Sequence, residues 1–185
     1  MKILAVSGSL RTDSHNAALL RTAVGFLPDD VQLEFFDGLR AVPPYDEDDD
    51  VVPAPAAVAE LRDAIAGADA ILFATPEYNH SIPGQLKNAL DWASRPLATN
   101  PLRNKPVAVV GASTGAFGAV WAQTELRKVL AAAGARVVDG EVAVGHAPQR
   151  FGPDGLLADE PLREQLAEVV ADLVAVTQAR DLVAA

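Results

Sequence analysis

The chain reads as an α/β protein, a doubly wound five-stranded parallel sheet with strand order 2-1-3-4-5. Three observations predict it. Short runs of Val, Ile, Leu and Ala alternate with helical patterns from end to end, the signature of strands buried on both faces between covering helices. Several of those runs, above all 3–6, 70–75 and 107–110, pass directly into loops rich in Ser, Gly, Asn and Pro, and open parallel sheets place their ligands at such carboxyl ends. With 185 residues, no internal repeat and no long linker, the expectation is one domain spanning 1–185 with a sizeable core.

Residues 2–6 give the first strand. Residues 16–27 follow as a helix, with Leu19, Leu20, Ala23, Val24 and Leu27 along one side. Residues 31–36 alternate as the second strand. The segment 37–55 is irregular, carrying Pro43-Pro44, the acidic run 46–50, Pro53 and Pro55. A helix over 56–66 leads through Gly67 to the third strand, which ends at Thr75. The next helix is expected after Ser81, which would cap it, and to run to about Arg95. The fourth strand is 106–111. Ala119, Ala122, Leu126, Val129, Leu130 and Ala133 then mark a helix stopped by Gly134. The fifth strand is 136–144, bent at Gly140, and Leu162, Leu166, Val169, Val170, Leu173 and Val176 mark the terminal helix. Trp92 and Trp121 are both expected in the core.

Composition excludes several function classes. Half the residues are hydrophobic and the net charge is −10, so no nucleic-acid partner is expected, since phosphate backbones require clustered Lys and Arg. The absence of cysteine rules out disulfides, thiolate catalysis and thiolate metal sites, and no other metal site is expected. The apolar run at 3–6 is too short for a signal peptide or a membrane span, which leads to the expectation of a cytoplasmic protein without membrane association.

Three loops carry the chemistry. The first, Ser7-Gly8-Ser9-Leu10-Arg11-Thr12-Asp13-Ser14-His15-Asn16, joins the first strand to a helix. Gly8 permits a tight turn, Ser9, Ser14 and Asn16 offer short polar side chains, and Arg11 offers a cationic fork. The helix start behind it adds free N–H groups and partial positive charge. These are the parts a phosphate dianion requires. The dinucleotide pattern G-x-G-x-x-G is absent, so a mononucleotide phosphate fits better than a pyrophosphate. The second loop, Pro76-Glu77-Tyr78-Asn79, suits the polar edge of a flat ring: Asn79 donates and accepts, and the backbone of Pro76, Glu77 and Tyr78 is expected to present N–H groups. The third, 111–118, is built from small residues that let the backbone approach a ring, with Ser113 and Thr114 able to bond its carbonyls. Phosphate plus an aromatic hydrogen-bonding ring points to flavin mononucleotide (FMN).

The same residues carry a resemblance. Gly8-Ser9-Leu10-Arg11 with Ser14 and Asn16, the run from Pro76 through Gly84, Leu86-Lys87-Asn88-Ala89 and Asp91-Trp92 together resemble the NAD(P)H-dependent FMN reductase family. That family is flavodoxin-like and includes chromate-, quinone- and azo-reducing members. The resemblance extends through 113–118 and Leu126-Arg127, covering roughly residues 2–145. It implies phosphate contacts from Ser9, Arg11, Ser14 and Asn16, and ring contacts from Pro76, Glu77, Tyr78 and Asn79, with Ser113 and Gly115 on the other side. It also implies a homodimer or homotetramer with the flavin near an interface. The chain departs from the family at His15, where an aromatic residue is usual, and at Ala119-Val120-Trp121.

The expected activity is electron transfer from NADPH or NADH, through bound FMN, to a small acceptor: a quinone, an azo compound, chromate or free flavin. A ping-pong order is expected, in which the nucleotide gives hydride, leaves, and the acceptor takes its place. The flavin carries that chemistry, so no side chain is named as catalytic. Besides a flavin-binding regulatory protein without turnover, two other readings exist. Gly111-Ala112-Ser113-Thr114-Gly115, followed by Asp139 and His146, matches a hydrolase order, although only one helix and one strand separate Ser113 from His146. An acidic, flavodoxin-like electron carrier without turnover is the other, its charge suited to a basic redox partner.

Overall fold

In the computed structural model, which describes residues 1–184, with side chains to residue 180, a mainly parallel sheet lies between two helical layers. The elements are β1 (Lys2–Ser7), α1 (His15–Ala23), β2 (Gln32–Phe35), α2 (Ala56–Ala66), β3 (Ala70–Thr75), α3 (Gly84–Ala93), β4 (Pro106–Ala112), α4 (Val120–Ala132), β5 (Arg136–Val137), β6 (Ala143–Val144) and α5 (Glu160–Ala184). The order is β2-β1-β3-β4-β5, with β6 also pairing with β4, as the sequence predicts.

Strand residues alternate between the layers because successive side chains point to opposite faces. Leu4, Val6, Ile71, Phe73, Val107 and Val109 pack on α2, α3 and α4, while Ile3, Ala5, Leu72, Ala108 and Val110 pack on α1 and α5. Every residue of β3 and β4 is buried. The register aligns Ser7 with Ala74 and Thr75 with Gly111, so β1, β3 and β4 end level and their three following loops emerge side by side.

Four expectations need correction. The fifth strand is broken into β5 and β6: Val137 pairs with Val107 and Ala143 with Gly111, so this segment spends two more residues than β4 over the same stretch. The guanidinium of Arg127 fills the bulge, donating to Val138 O at 3.0 Å, to Val109 O at 2.7 Å and to Gly140 O. Helix α3 opens at Gly84 with Pro83 as an uncapped N-cap; Ser81 instead donates its hydroxyl to Glu125 Oε2 at 2.5 Å. Trp92 is fully buried, but Trp121 is 41% exposed. Finally, α1 stops at Ala23, and residues 24–26 continue as a 3₁₀ turn.

The acidic run forms a short 3₁₀ turn in which residues 46–49 are exposed and only Asp50 is half-buried. Asp50 pairs with Arg62 at 2.9 Å, and the preceding turn is clamped by one face of α3. Gln85 Nε2 donates to Leu39 O and Val42 O at 2.8 Å each, Asn88 bridges Tyr45 N and Pro43 O at 2.7 Å each, and Trp92 Nε1 donates to Pro43 O at 2.9 Å. No described helix is long and apolar enough to cross a membrane.

Candidate functional site

The three loops at the level strand ends enclose one cleft. Its walls are Ser9, Arg11, Ser14 and Asn16 from the first loop, Pro76, Glu77 and Tyr78 from the second, and Ser113 from the third. Thus eight of the ten residues named from the sequence line one cavity. Asn79 and Gly115 stand outside the wall. His15, Ala112 and Thr114 complete it. Thr114 is marked by its loop, whereas His15 is marked only by its place behind the Ser14 cap and as a departure from the family pattern.

The first loop is held open by backbone geometry. Gly8 N–H donates to Ala74 O at 2.8 Å, and a Cβ on Gly8 would stand 2.9 Å from Leu86 Cδ2 and 3.3 Å from Pro76 Cδ. Only glycine lets the loop turn this close to β3 and α3. Ser14 is the N-cap of α1, its hydroxyl accepting from Ala17 N at 3.2 Å. The N–H groups of His15 and Asn16, first in that helix, have no protein acceptor among the described residues. The Arg11 side chain is exposed and makes no ion pair there.

Asn16 serves differently from expectation. Its amide is buried and locked against the end of β4, accepting from Ala112 N at 2.9 Å and donating to Ala112 O at 3.0 Å. It therefore fixes the third loop to the first helix and offers the cleft mainly its backbone N–H.

The second loop is a tight hairpin. Tyr78 N donates to Ser81 O at 3.0 Å and Ser81 N to Tyr78 O at 3.1 Å. Between them Asn79 and His80 sit at φ 53° and 60°, the paired left-handed conformation of a type I′ turn. The Tyr78 N–H is consumed in the turn and Pro76 has none, which corrects the expectation for this backbone. Glu77 and Asn79 retain N–H groups without a protein acceptor among the described residues. The Glu77 side chain, 13% exposed, turns away into α4, where Oε2 accepts from Trp121 N at 3.1 Å and Ala122 N at 3.2 Å. The one acid lining the cleft is thereby neutralised by a helix start.

The third loop folds on itself. Ser113 Oγ accepts from Gly115 N at 3.1 Å, while Gly115 O accepts from His146 N at 2.8 Å. Gly118, at φ +59°, places its missing Cβ 2.2 Å from Ala143 C, so β6 presses directly on this loop. Exposed aromatic side chains edge this side: Trp121 meets Phe117 at 5.0 Å and His80 at 4.7 Å between ring centroids.

His15 stacks on Phe151, with centroids 5.2 Å apart and planes at 29°. Burial, and then the charge of Arg11, hold its imidazole below the ordinary value of 6.5. No hydrogen bond joins Ser113, His146 and Asp139 among the described residues, and His146 lines a separate cavity with Arg150 and Asp159. The hydrolase arrangement is not assembled.

The cleft fits FMN by its donor set. Hydroxyls, an unpaired guanidinium and helix N–H groups come from the first loop, and backbone N–H groups with Ser113 and Thr114 from the other two, with no free carboxylate among them. Larger hollows lie elsewhere, about 460 Å³ between α3 and α4 and about 730 Å³ beside β2 and α2. Neither lies at the carboxyl ends of the central strands.

Comparison with known proteins agrees with this geometry. A family model described as NADPH-dependent FMN reductase matches residues 1–149. An NAD(P)H-dependent FMN reductase of Pseudomonas aeruginosa is 44% identical over 165 residues, covering 89% of this chain and 88% of that one. A 2-hydroxy-1,4-benzoquinone reductase of Burkholderia sp is 39% identical, covering 90% of each. Among solved structures, the flavoenzyme NAD(P)H:(acceptor) oxidoreductase FerB of Paracoccus denitrificans superposes with a TM-score of 0.84 at 32% identity, covering 96% of this chain and 97% of that one.

Proposed function

The chain belongs to the NADPH-dependent FMN reductase family, and we propose that it passes electrons from NADPH or NADH, through bound FMN, to a small acceptor. Quinones, azo compounds, chromate and free flavin form the acceptor class. The observation that carries this reading is the convergence of three strand-end loops, each bringing hydrogen-bond donors, on one cleft.

In this reading Ser9, Arg11, the Ser14 hydroxyl and the N–H groups of His15 and Asn16 hold the terminal phosphate. The N–H groups of Glu77 and Asn79, with Ser113 and Thr114, orient the ring by its polar edge. Pro76 and Tyr78 give it flat contacts, and Gly115 keeps the opposite wall low. When bound, FMN supplies the hydride-accepting and electron-donating chemistry. The protein needs no general base, and the two groups of the wall that could act as one, Glu77 and His15, are engaged by α4 and by Phe151; its own contribution is preorganised N–H groups facing a ring edge that gains negative charge on reduction. One solvent-facing opening beside Tyr78, 51% exposed, serves reductant and acceptor in turn, which gives ping-pong kinetics. The whole of 1–185 acts as one FMN-binding unit. A homodimer or homotetramer is part of this reading, supported by the exposed Phe117 and Trp121, which a second subunit would cover.

The test is the visible spectrum of the purified protein. Flavin absorption that bleaches on anaerobic addition of NADPH and returns with a quinone is expected. Persistent flavin bands would favour the electron carrier, and failure to take up FMN on reconstitution would remove the reading altogether.

A further inference from the structure

A second cavity, about 300 Å³, shares two walls with the cofactor cleft: Arg11 and Tyr78. Its remaining walls include Leu10, Arg40 and the opening of α3 at Pro83 and Gly84. Arg40 lies in the 3₁₀ turn Gly38–Ala41 that follows β2, far from the cleft in sequence. Its guanidinium reaches across the first loop and donates to Leu10 O at 2.6 Å. The turn beneath it is fixed from the other side, where Gln85 Nε2 bonds Leu39 O and Val42 O. Arg40 is therefore set in place by two separate elements.

Its charge has no partner. Among the described residues neither Arg40 nor Arg11 makes an ion pair, although the chain holds 25 acidic against 15 basic residues. Two adjacent unpaired arginines in so acidic a protein mark a place built to attract anions. Arg11 is committed to the phosphate in the reading above, leaving Arg40 as the cation of the second cavity. Leu10, Pro83 and the Tyr78 ring make most of the remaining lining apolar, and the Gln85 amide donates to Leu39 O and Val42 O, which suits a flat hydrocarbon body carrying one charged oxygen group.

We propose that this cavity is a subsite for an anionic oxygen group (carboxylate, sulfonate, ionised phenol or phosphate ester) on the flat substrate that reacts at the cofactor cleft, with Arg40 as its specificity-determining residue. The proposal rests on the reductase reading for the identity of that substrate, and its test separates the two. Arg40 bonds the anion through N–H groups that Leu10 O leaves free, so a planar fork meets a carboxylate or sulfonate.

The experiment uses FMN-loaded wild type, Arg40→Gln and Arg40→Lys. Acceptors are 1,4-naphthoquinone and its 2-sulfonate, reductants are NADPH and NADH, and binding of the redox-inert naphthalene-2-sulfonate is followed by calorimetry. Arg40→Gln is expected to lower kcat/KM for the sulfonated quinone about tenfold, the lower end for a hydrogen bond to a charged group, while the neutral quinone stays within about twofold. Naphthalene-2-sulfonate should lose affinity by a similar factor, with Arg40→Lys between the two. A loss confined to NADPH, absent with NADH and equal for both quinones, would identify the anion as the reductant's phosphate and still support the subsite. Equal responses to every charged and neutral partner, with unchanged sulfonate binding, would overturn it. Should wild type reduce neither quinone, the reductase reading falls, while the calorimetric comparison still decides the anion site.

Discussion

The Glu77 carboxylate caps a helix that begins more than forty residues later: its Oε2 accepts the N–H groups of Trp121 at 3.1 Å and Ala122 at 3.2 Å. Helix α4 has no cap of its own, because Ala119 stands at its N-cap in the left-handed conformation without a side-chain acceptor. The loop after β3 thus supplies what the loop after β4 lacks, and two walls of the cleft become one mechanical unit.

Glu77→Ala removes that cap and leaves two helix N–H groups unpaired. Urea unfolding of the apo-protein should show a loss of about 1–2 kcal/mol, the range for a helix cap. Glu77→Gln keeps an acceptor oxygen but not the charge, and should lose about half as much. Equal stability of Glu77→Ala and wild type would mean the cap carries no weight.

Arg11→Ala should weaken FMN binding by about 1.5–3 kcal/mol, the range for a hydrogen bond to a charged group, and leave the apo-protein's stability unchanged because the side chain has no protein partner. Flavin fluorescence titration measures the first and thermal melting the second. Unchanged FMN affinity would remove Arg11 from the phosphate site.

The fold was legible because its signals are periodic and local. Residues 70–75 and 106–112 carry no polar side chain except Thr75 and become the two fully buried strands, and the three loops are marked by residues that ordinary connections do not need. The misplaced details all depend on distant partners. That Arg127 would hold open a bulge between β5 and β6 cannot be read from the spacing of either. Ser81 has the residue type of a cap, but α3 starts only at Gly84, and the Ser81 hydroxyl donates to Glu125 instead. Asn16 looked like a ligand for phosphate and is occupied by Ala112, which lies 96 positions away in the chain.

The His15 imidazole gives a pH dependence whose sign is fixed. Burial and the nearby Arg11 charge depress its folded-state pKa below 6.5, so the unfolded chain takes up the proton first. Stability from this residue is complete above about pH 6.5 and falls as pH drops towards the folded value. His15→Phe retains an aromatic face for Phe151 and removes the titration. The melting temperature of the variant's apo-protein, measured between about pH 5 and 7, should decline less steeply than that of wild type; parallel curves would assign the acid sensitivity to other groups.

The long motif after β3 divides into two tasks, and Asn88 tests the division. Residues 76–78 line the cleft, but Gln85, Asn88 and Trp92 are spaced along one side of α3 and all point at the backbone of residues 39–45. Asn88 makes two of those bonds, accepting from Tyr45 N and donating to Pro43 O at 2.7 Å each. Pro43 O keeps a second donor in Trp92 Nε1 at 2.9 Å, whereas Tyr45 N has no other acceptor. Asn88→Ala should therefore cost about 1–3 kcal/mol, chiefly the penalty of one orphaned donor, read from chemical denaturation. FMN affinity should stay within about twofold of wild type, because the clamp touches none of the cleft walls. The opposite pattern, intact stability with weakened FMN binding, would assign Asn88 to the cofactor site and the whole motif to a single task.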